Sequence, residues 1–220
     1  MIITIDGPVG SGKSSVAKNL AKKLNIYYLN TGLLYRSVAY ILINVLDRKL
    51  SDLENITQND LEFTSKIVYR YFNNKEQILF DGKDITKDLY QTALDQAASI
   101  ISAKKIVRQN LLDLQRSIAK ENDLVAEGRD CGTVVFVDAD YKFFLTASIK
   151  IRAMRILTDE KRINQNMDLG KVEVEVELRD KRDRERDISP LAVPDNAIII
   201  DNSKMDERET VKEFLRFIKR

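Results

Sequence analysis

Short apolar runs alternate with longer amphipathic ones along most of this chain. Ile2–Ile5, Ile26–Leu29, Leu124–Glu127, Lys142–Thr146 and Ala197–Ile200 are four or five residues long and read as strands. Between them, Ser14–Leu24, Leu33–Leu46, Leu89–Ile101, Ile106–Ala119, Ile149–Lys161 and Arg208–Ile218 repeat apolar residues at steps of three and four, the period of a helix. Strands alternating with helices predict an α/β fold in three layers, a five-stranded parallel sheet covered on both faces, with ligands at the carboxyl ends of its strands. One stretch breaks the plan. From Ser65 to Leu89, Ile67–Phe72, Gln77–Phe80 and Asp84–Thr86 are separated by Asn73-Asn74 and Asp81-Gly82, which reads as two or three antiparallel strands inserted into the main domain.

Composition narrows the class without naming a function. The chain has 220 residues, 44% of them apolar, enough for a substantial core in one α/β domain. The net charge of +2 gives no argument for nucleic acid. The single Cys131 cannot form an internal disulfide, no apolar run approaches membrane-spanning length, and Met1 leads directly into strand residues. The expectation is a soluble cytoplasmic protein, acting as a monomer, with no membrane or nucleic-acid partner.

Chemistry enters at Gly7-Pro8-Val9-Gly10-Ser11-Gly12-Lys13-Ser14, which spells G-x-x-x-x-G-K-[ST] between the first strand and the first helix. Glycines let the chain curl until successive N–H groups point at one anion, and the helix that follows adds the positive end of its dipole. In such a loop Lys13 reaches the β and γ phosphates of a triphosphate, and the Ser14 hydroxyl holds Mg²⁺. Signatures of GTP hydrolases are missing: Asn74-Lys75-Glu76-Gln77 lacks the aspartate that reads guanine, and no Asp-x-x-Gly follows a second strand.

Two charged constellations bear on what receives the phosphate. Leu124–Glu127 is followed by Gly128-Arg129-Asp130, a cation and a carboxylate at the mouth of the sheet. The planar fork of Arg129 suits a phosphate, and Asp130 suits a sugar hydroxyl. Later, Arg179, Asp183 and Arg186 fall at i, i+4 and i+7 and share one face if the segment is helical. The same charges also fit a solvated helix laced with ion pairs. The segment just before them, Val172–Leu178, alternates apolar and acidic residues with a strand's period, yet the convergent face needs a helix.

Gly7–Ser15, Thr31–Arg36, Ala97-Ala98-Ser99 with Val107-Arg108, Gly128–Phe136, and Arg179–Arg186 with Ser189-Pro190-Leu191 resemble, in order and spacing, the bacterial cytidylate kinases. The likeness runs over nearly the whole chain, and Gly-Arg-Asp-x-Gly-Thr-Val-Val-Phe at 128–136 is its most specific part. It implies a P-loop nucleoside monophosphate kinase fold with a short lid and transfer of the γ-phosphoryl group of ATP to CMP or dCMP. On that plan 1–220 is a single kinase domain: 1–35, 90–148 and 188–220 form the core, 36–89 the monophosphate-binding insertion, and 149–187 the lid with its flanking helices. Asn30 replaces the family's usual acidic residue, Val137 its proline, and Lys104-Lys105 stand where a proline is frequent.

The resemblance implies ATP contacts from Gly7, Pro8, Val9, Gly10, Ser11, Gly12, Lys13, Ser14 and Ser15, with Ser14 on the Mg²⁺. For CMP it implies Thr31, Tyr35, Arg36, Ser99, Arg108, Arg129, Asp130, Arg179, Asp183 and Arg186. Arg36 and Arg129 would hold the phosphate, with Ser99, Arg108 and Asp183 around cytosine and Asp130 and Asp183 on the ribose. Ser99 and Arg108 are nine residues apart and would diverge on one uninterrupted helix, so a break is expected near Ser102–Lys105. No histidine is present, and none is required where the acceptor is an ionised phosphate. Lys13, with Arg152 and Arg155 as lid arginines and Asn164–Gly170 as a flexible segment beyond them, would neutralise the transferred group.

Overall fold

In the computed structural model, which describes residues 1–91, 93–159 and 168–219, the apolar runs become strands and the amphipathic runs helices. In chain order the elements are β1 (Ile2–Asp6), α1 (Lys13–Leu24), β2 (Tyr27–Asn30), α2 (Thr31–Tyr40), β3 (Ile67–Phe72), β4 (Lys75–Phe80), β5 (Lys83–Asp84), α3 (Ala93–Ser102), α4 (Lys105–Glu121), β6 (Leu124–Gly128), β7 (Tyr141–Thr146), α5 (Ile149–Leu157), α6 (Leu169–Glu185), β8 (Ile198–Asp201) and α7 (Glu207–Phe217). They gather into two units, Met1–Leu29 with Asn122–Arg220, and Asn30–Glu121. α5 ends at Leu157 with Thr158 as its cap, short of the expected Lys161. Residues 160–167 lie outside the described residues, and with them most of Asn164–Gly170.

The first unit is built on a five-stranded sheet in the order β2-β6-β1-β7-β8. β1 lies at its centre, parallel to β6 with Asp6 opposite Gly128 and parallel to β7 with Asp6 opposite Phe144. Ile3, Thr4, Ile5 and Asp6 are all fully buried, as expected of a strand covered on both faces. This register brings the first strand's exit, where the P-loop starts, level with the exit of β6, where Arg129 and Asp130 start. α1 packs on β6 and α7, and α7 buries Phe214 against Phe143 of β7 with ring centroids 4.4 Å apart.

The alternation at 172–178 is resolved as helix. A period of two contains an i, i+4 pair, and Val172 and Val176 use it to pack against Val9 and Ala153, while Val174 and Leu178 stay exposed. Asp168 caps the start of α6 by accepting the N–H of Gly170.

In the second unit β3, β4 and β5 form an antiparallel sheet, with Ile67 opposite Phe80 and Phe72 opposite Lys75. Asn73 and Asn74 turn the hairpin with φ of 50° and 59°, the left-handed region in which asparagine is better tolerated than most residues. α2 starts two residues before the expected Leu33, because Asn30 accepts the N–H of Leu33 and caps the helix there. It ends at Tyr40 and widens into a π turn over Ile41–Val45, short of the expected Leu46. The expected helix break also occurs, α3 ending at Ser102 and α4 beginning at Lys105. No proline is needed: Ala103 and Lys104 donate to Ile100 and Ile101, the tight i to i−3 pattern that closes a helix.

Candidate active site

Around the P-loop, residue size and charge are set by close packing. A Cβ on Gly7 would meet the Leu145 carbonyl oxygen at 2.0 Å, so only glycine lets the loop leave β1 pressed against β7. Gly12 precedes α1 without a side-chain cap, and the first turn of α1 carries no acidic residue. No carboxylate from within the helix therefore competes for its N-terminal N–H groups and dipole. Lys13 is buried and its Nζ donates to the Pro8 carbonyl at 2.7 Å and to Ser11 Oγ at 3.3 Å. Burial pulls its ammonium down to about 7, Arg129 adds to the effect, and Glu127, Asp183 and Asp6 oppose it.

Ser14 Oγ donates to Glu127 Oε1 at 2.8 Å, and the Tyr28 hydroxyl reaches the same oxygen at 3.4 Å. A hydroxyl and a carboxylate are hard oxygen donors of the kind Mg²⁺ takes, in a site where phosphates and water complete the shell. Among the described residues no cluster of three or more acidic, cysteine or histidine side chains could form an all-protein metal cage. The donor set therefore fits a metal that arrives with a nucleotide.

At the exit of β6 the structure brings together four of the acceptor residues. Arg129 Nε donates to Asp183 Oδ2 at 2.8 Å, and Arg186 Nη2 lies 3.7 Å from Asp130 Oδ1. Burial pushes the Asp183 carboxyl up, but Arg129, Arg179 and Arg186 together outweigh it and hold the group below the usual carboxylate range. Arg186 does not share the helical face with Arg179 and Asp183. The chain leaves the helix at Arg186, with φ −67° and ψ 138°, as Leu191 N–H bonds back to the Asp183 carbonyl and Arg186 Nε to that of Ser189. Arg186 thus reaches Asp130 from the turn rather than from the helix.

Arg179 lies on α6 of the first unit, beside Asp183, and the second unit carries the other five acceptor candidates. Arg108 and Tyr35 are both buried, with the guanidinium carbon 5.3 Å from the ring centroid, and Arg108 Nη1 donates to the Ser102 carbonyl at the end of α3. Arg36 is held by the Leu89 carbonyl at 3.0 Å and by an ion pair with Asp95. Thr31 is buried at the start of α2, and Ser99 is half-buried on α3.

The two arginines of α5 have specific partners on the P-loop. Arg152 donates to the carbonyls of Val9 and Ala147, each at 3.0 Å, and pairs with Asp180 at 2.7 Å. Arg155 donates to the Ser11 carbonyl at 3.2 Å and to Asn202 Oδ1 at 3.0 Å, while Asn202 Nδ2 donates to the same Ser11 carbonyl. Sequence reading singled out both arginines as cations for the transferred group. In this structure their donors shape the donor loop itself.

Sequence reading missed four site residues. Asp6 and Glu127 each carry a signal, a carboxylate at the end of an apolar strand. Asp180 and Asn202 carry none, since their role depends on partners 28 or more residues away along the chain. Asp6 accepts the N–H of Cys131 at 2.8 Å and of Gly132 at 2.7 Å. Burial pushes its carboxyl up to about 6 against those two bonds, with Asp130 adding to the push and Lys13 opposing it.

A central parallel strand leading into a P-loop, an acid beside the loop's serine, and an arginine-carboxylate cluster on the neighbouring strand exit define a P-loop phosphotransferase. The model of the cytidylate kinase family matches residues 3–220. The chain belongs to the cytidylate kinase family. Relatives named cytidylate kinase include one from Caldanaerobacter subterraneus, 36% identical over 220 residues covering 99% of this chain and 94% of that protein. Another, from Clostridium botulinum strain Okra, is 37% identical over 221 residues, covering 99% and 97%. One from Acholeplasma laidlawii is 32% identical over 222 residues, covering 98% and 94%. The fold is shared with an uncharacterized protein from Eubacterium ventriosum, at TM-score 0.55 and 16% identity over 99% of this chain and 98% of that one. It is also shared with shikimate kinase from Bacteroides thetaiotaomicron, at TM-score 0.50 and 11% identity over 98% and 97%. Among the described residues no helix is long and apolar enough to cross a membrane.

Proposed function

We propose that this protein transfers the γ-phosphoryl group of ATP to CMP and dCMP, yielding ADP and CDP or dCDP. A CMP phosphate oxygen attacks the γ-phosphorus in line, a new P–O bond forms, and the bond to the bridging β-phosphate oxygen breaks with its electron pair leaving on ADP. The observation that carries this reading is the cluster of Arg129, Asp130, Asp183 and Arg186 at the exit of β6, level with the exit of β1 that leads to Lys13. It offers forked donors for a monophosphate and acceptors for sugar or base hydrogen-bond donors.

The P-loop N–H groups and Lys13 hold the donor phosphates, and Lys13 regains its proton's stability from their negative charge. Ser14 and Glu127 would hold Mg²⁺, which when bound would neutralise phosphate charge. Arg152 and Arg155 keep the loop's carbonyls fixed, so that its N–H groups stay turned toward the nucleotide. The resemblance assigns further acceptor contacts to Thr31, Tyr35, Arg36, Ser99, Arg108 and Arg179. No general base is called for, because the acceptor is already an anion.

An acceptor panel tests the reading. With ATP and Mg²⁺, ADP should form rapidly only when CMP or dCMP is added. Equal ADP formation without acceptor would mark an ATPase, and faster turnover of AMP or UMP would mark a different monophosphate kinase.

A further inference from the structure

Asp6 is a fully buried carboxylate on the central strand, and sequence reading gives it no part in either nucleotide site. Its two oxygens are used separately, Oδ1 by the Cys131 N–H at 2.8 Å and Oδ2 by the Gly132 N–H at 2.7 Å. Those two N–H groups open the helical turn Cys131–Val135 that follows directly on Arg129 and Asp130. N-terminal N–H groups of a turn have no partner within it, so a carboxylate from another strand caps the turn from outside. The backbone is also pressed onto β1 at this point. A Cβ on Gly132 would come within 2.8 Å of Thr4 Oγ1 and 2.9 Å of Pro194 Cγ.

We infer that Asp6 is a positioning residue for the acceptor: its carboxylate anchors to β1 the loop that presents Arg129 and Asp130, and so fixes where the monophosphate is held. This rests on the assignment of Arg129 and Asp130 to the acceptor in the proposed function. The anchored loop meets the rest of the cluster from there, Arg129 bonding Asp183 and Asp130 facing Arg186. Asparagine cannot replace it. It keeps the volume but offers one acceptor oxygen, and its NH₂ would confront the second N–H, donor against donor.

The test measures CMP and ATP binding by calorimetry for the wild type, Asp6→Asn and Arg129→Ala. Asp6→Asn should weaken CMP binding about tenfold or more, as expected for a buried donor left unmatched, and leave ATP binding within about threefold. Equal losses for both nucleotides, or no loss for CMP, would overturn the inference while Arg129→Ala still weakens CMP. No loss of CMP binding in Arg129→Ala would remove the acceptor assignment itself and the inference with it. A measurement on the wild type stands apart from any folding defect of the variant. Amide exchange at Cys131 and Gly132 should be protected to the level of the central strands, and exchange as fast as an exposed loop would overturn the anchor.

Discussion

Arg152 Nη1 lies 2.7 Å from Asp180 Oδ2, and both side chains are at least 95% buried. The pair joins α5 to α6, and the same guanidinium bonds the Val9 carbonyl of the P-loop. One ion pair therefore ties the loop for the donor to the helix that carries Asp183. Among the described residues the buried Asp180 Oδ1 has no hydrogen-bond partner, so the pair sits in an incompletely satisfied environment.

Removing one partner of such a pair leaves a buried charge. Asp180→Ala should destabilise the protein by about 3–5 kcal/mol in urea unfolding. The double variant Arg152→Met with Asp180→Leu should recover most of that stability yet retain a raised KM for ATP, because Val9 has lost its donor. A double variant with normal KM for ATP would show that Arg152 serves the fold alone.

The Ser14–Glu127 contact predicts a metal phenotype. Glu127→Gln keeps an acceptor for Ser14 but loses the charge, and the Mg²⁺ concentration for half-maximal activity should rise roughly tenfold or more. Thermal unfolding should change little. A magnesium dependence identical to that of the wild type would take Glu127 out of the metal site.

Asp183 holds Arg129 and is itself held by three arginines. Asp183→Ala should raise the KM for CMP by roughly tenfold or more through the loss of a charged hydrogen bond, and leave that for ATP much less affected. Equal effects on both would remove Asp183 from the acceptor site.

Asp6 predicts a pH signature in stability. Burial raises its carboxyl from 3.8 unfolded to about 6 folded. A raised pKa means that the folded state holds the proton more tightly, so this contribution is complete below pH 3.8 and lost as pH rises through about 6. The cost at neutral pH is about 3 kcal/mol, which the fold accepts while keeping a charged anchor beneath the loop of Arg129. Asp6→Asn lacks the titration. The stability of the wild type relative to Asp6→Asn should therefore fall by about 1.4 kcal/mol per pH unit between roughly pH 4 and 6. Lys13 and Asp130 face Asp6, so the slope should be read at constant ionic strength. A flat difference across that window would show that Asp6 is not raised.

Where function rests on neighbours in sequence, residue type and spacing were enough. The P-loop lies in eight consecutive residues and the Asn73-Asn74 hairpin in a local backbone preference, while the break between α3 and α4 was expected because the family resemblance sets both Ser99 and Arg108 at cytosine. Arg186 shows the limit, since the helix was expected to carry it and the chain turns out one residue earlier. That turn is closed by Leu191 and Ser189, and no periodicity encodes such bonds.

The sequence by itself determined that this is an α/β protein with a triphosphate loop and a charged acceptor motif, because strand, helix and loop chemistry are read from local pattern. Only the tertiary structure decided what each charge does. It placed Asp6 beneath Gly132, Glu127 against Ser14, and Asp180 on Arg152, pairs separated by 126, 113 and 28 residues along the chain. Burial gives those pairs their strength, and burial belongs to the packed sheet and helices rather than to any one segment.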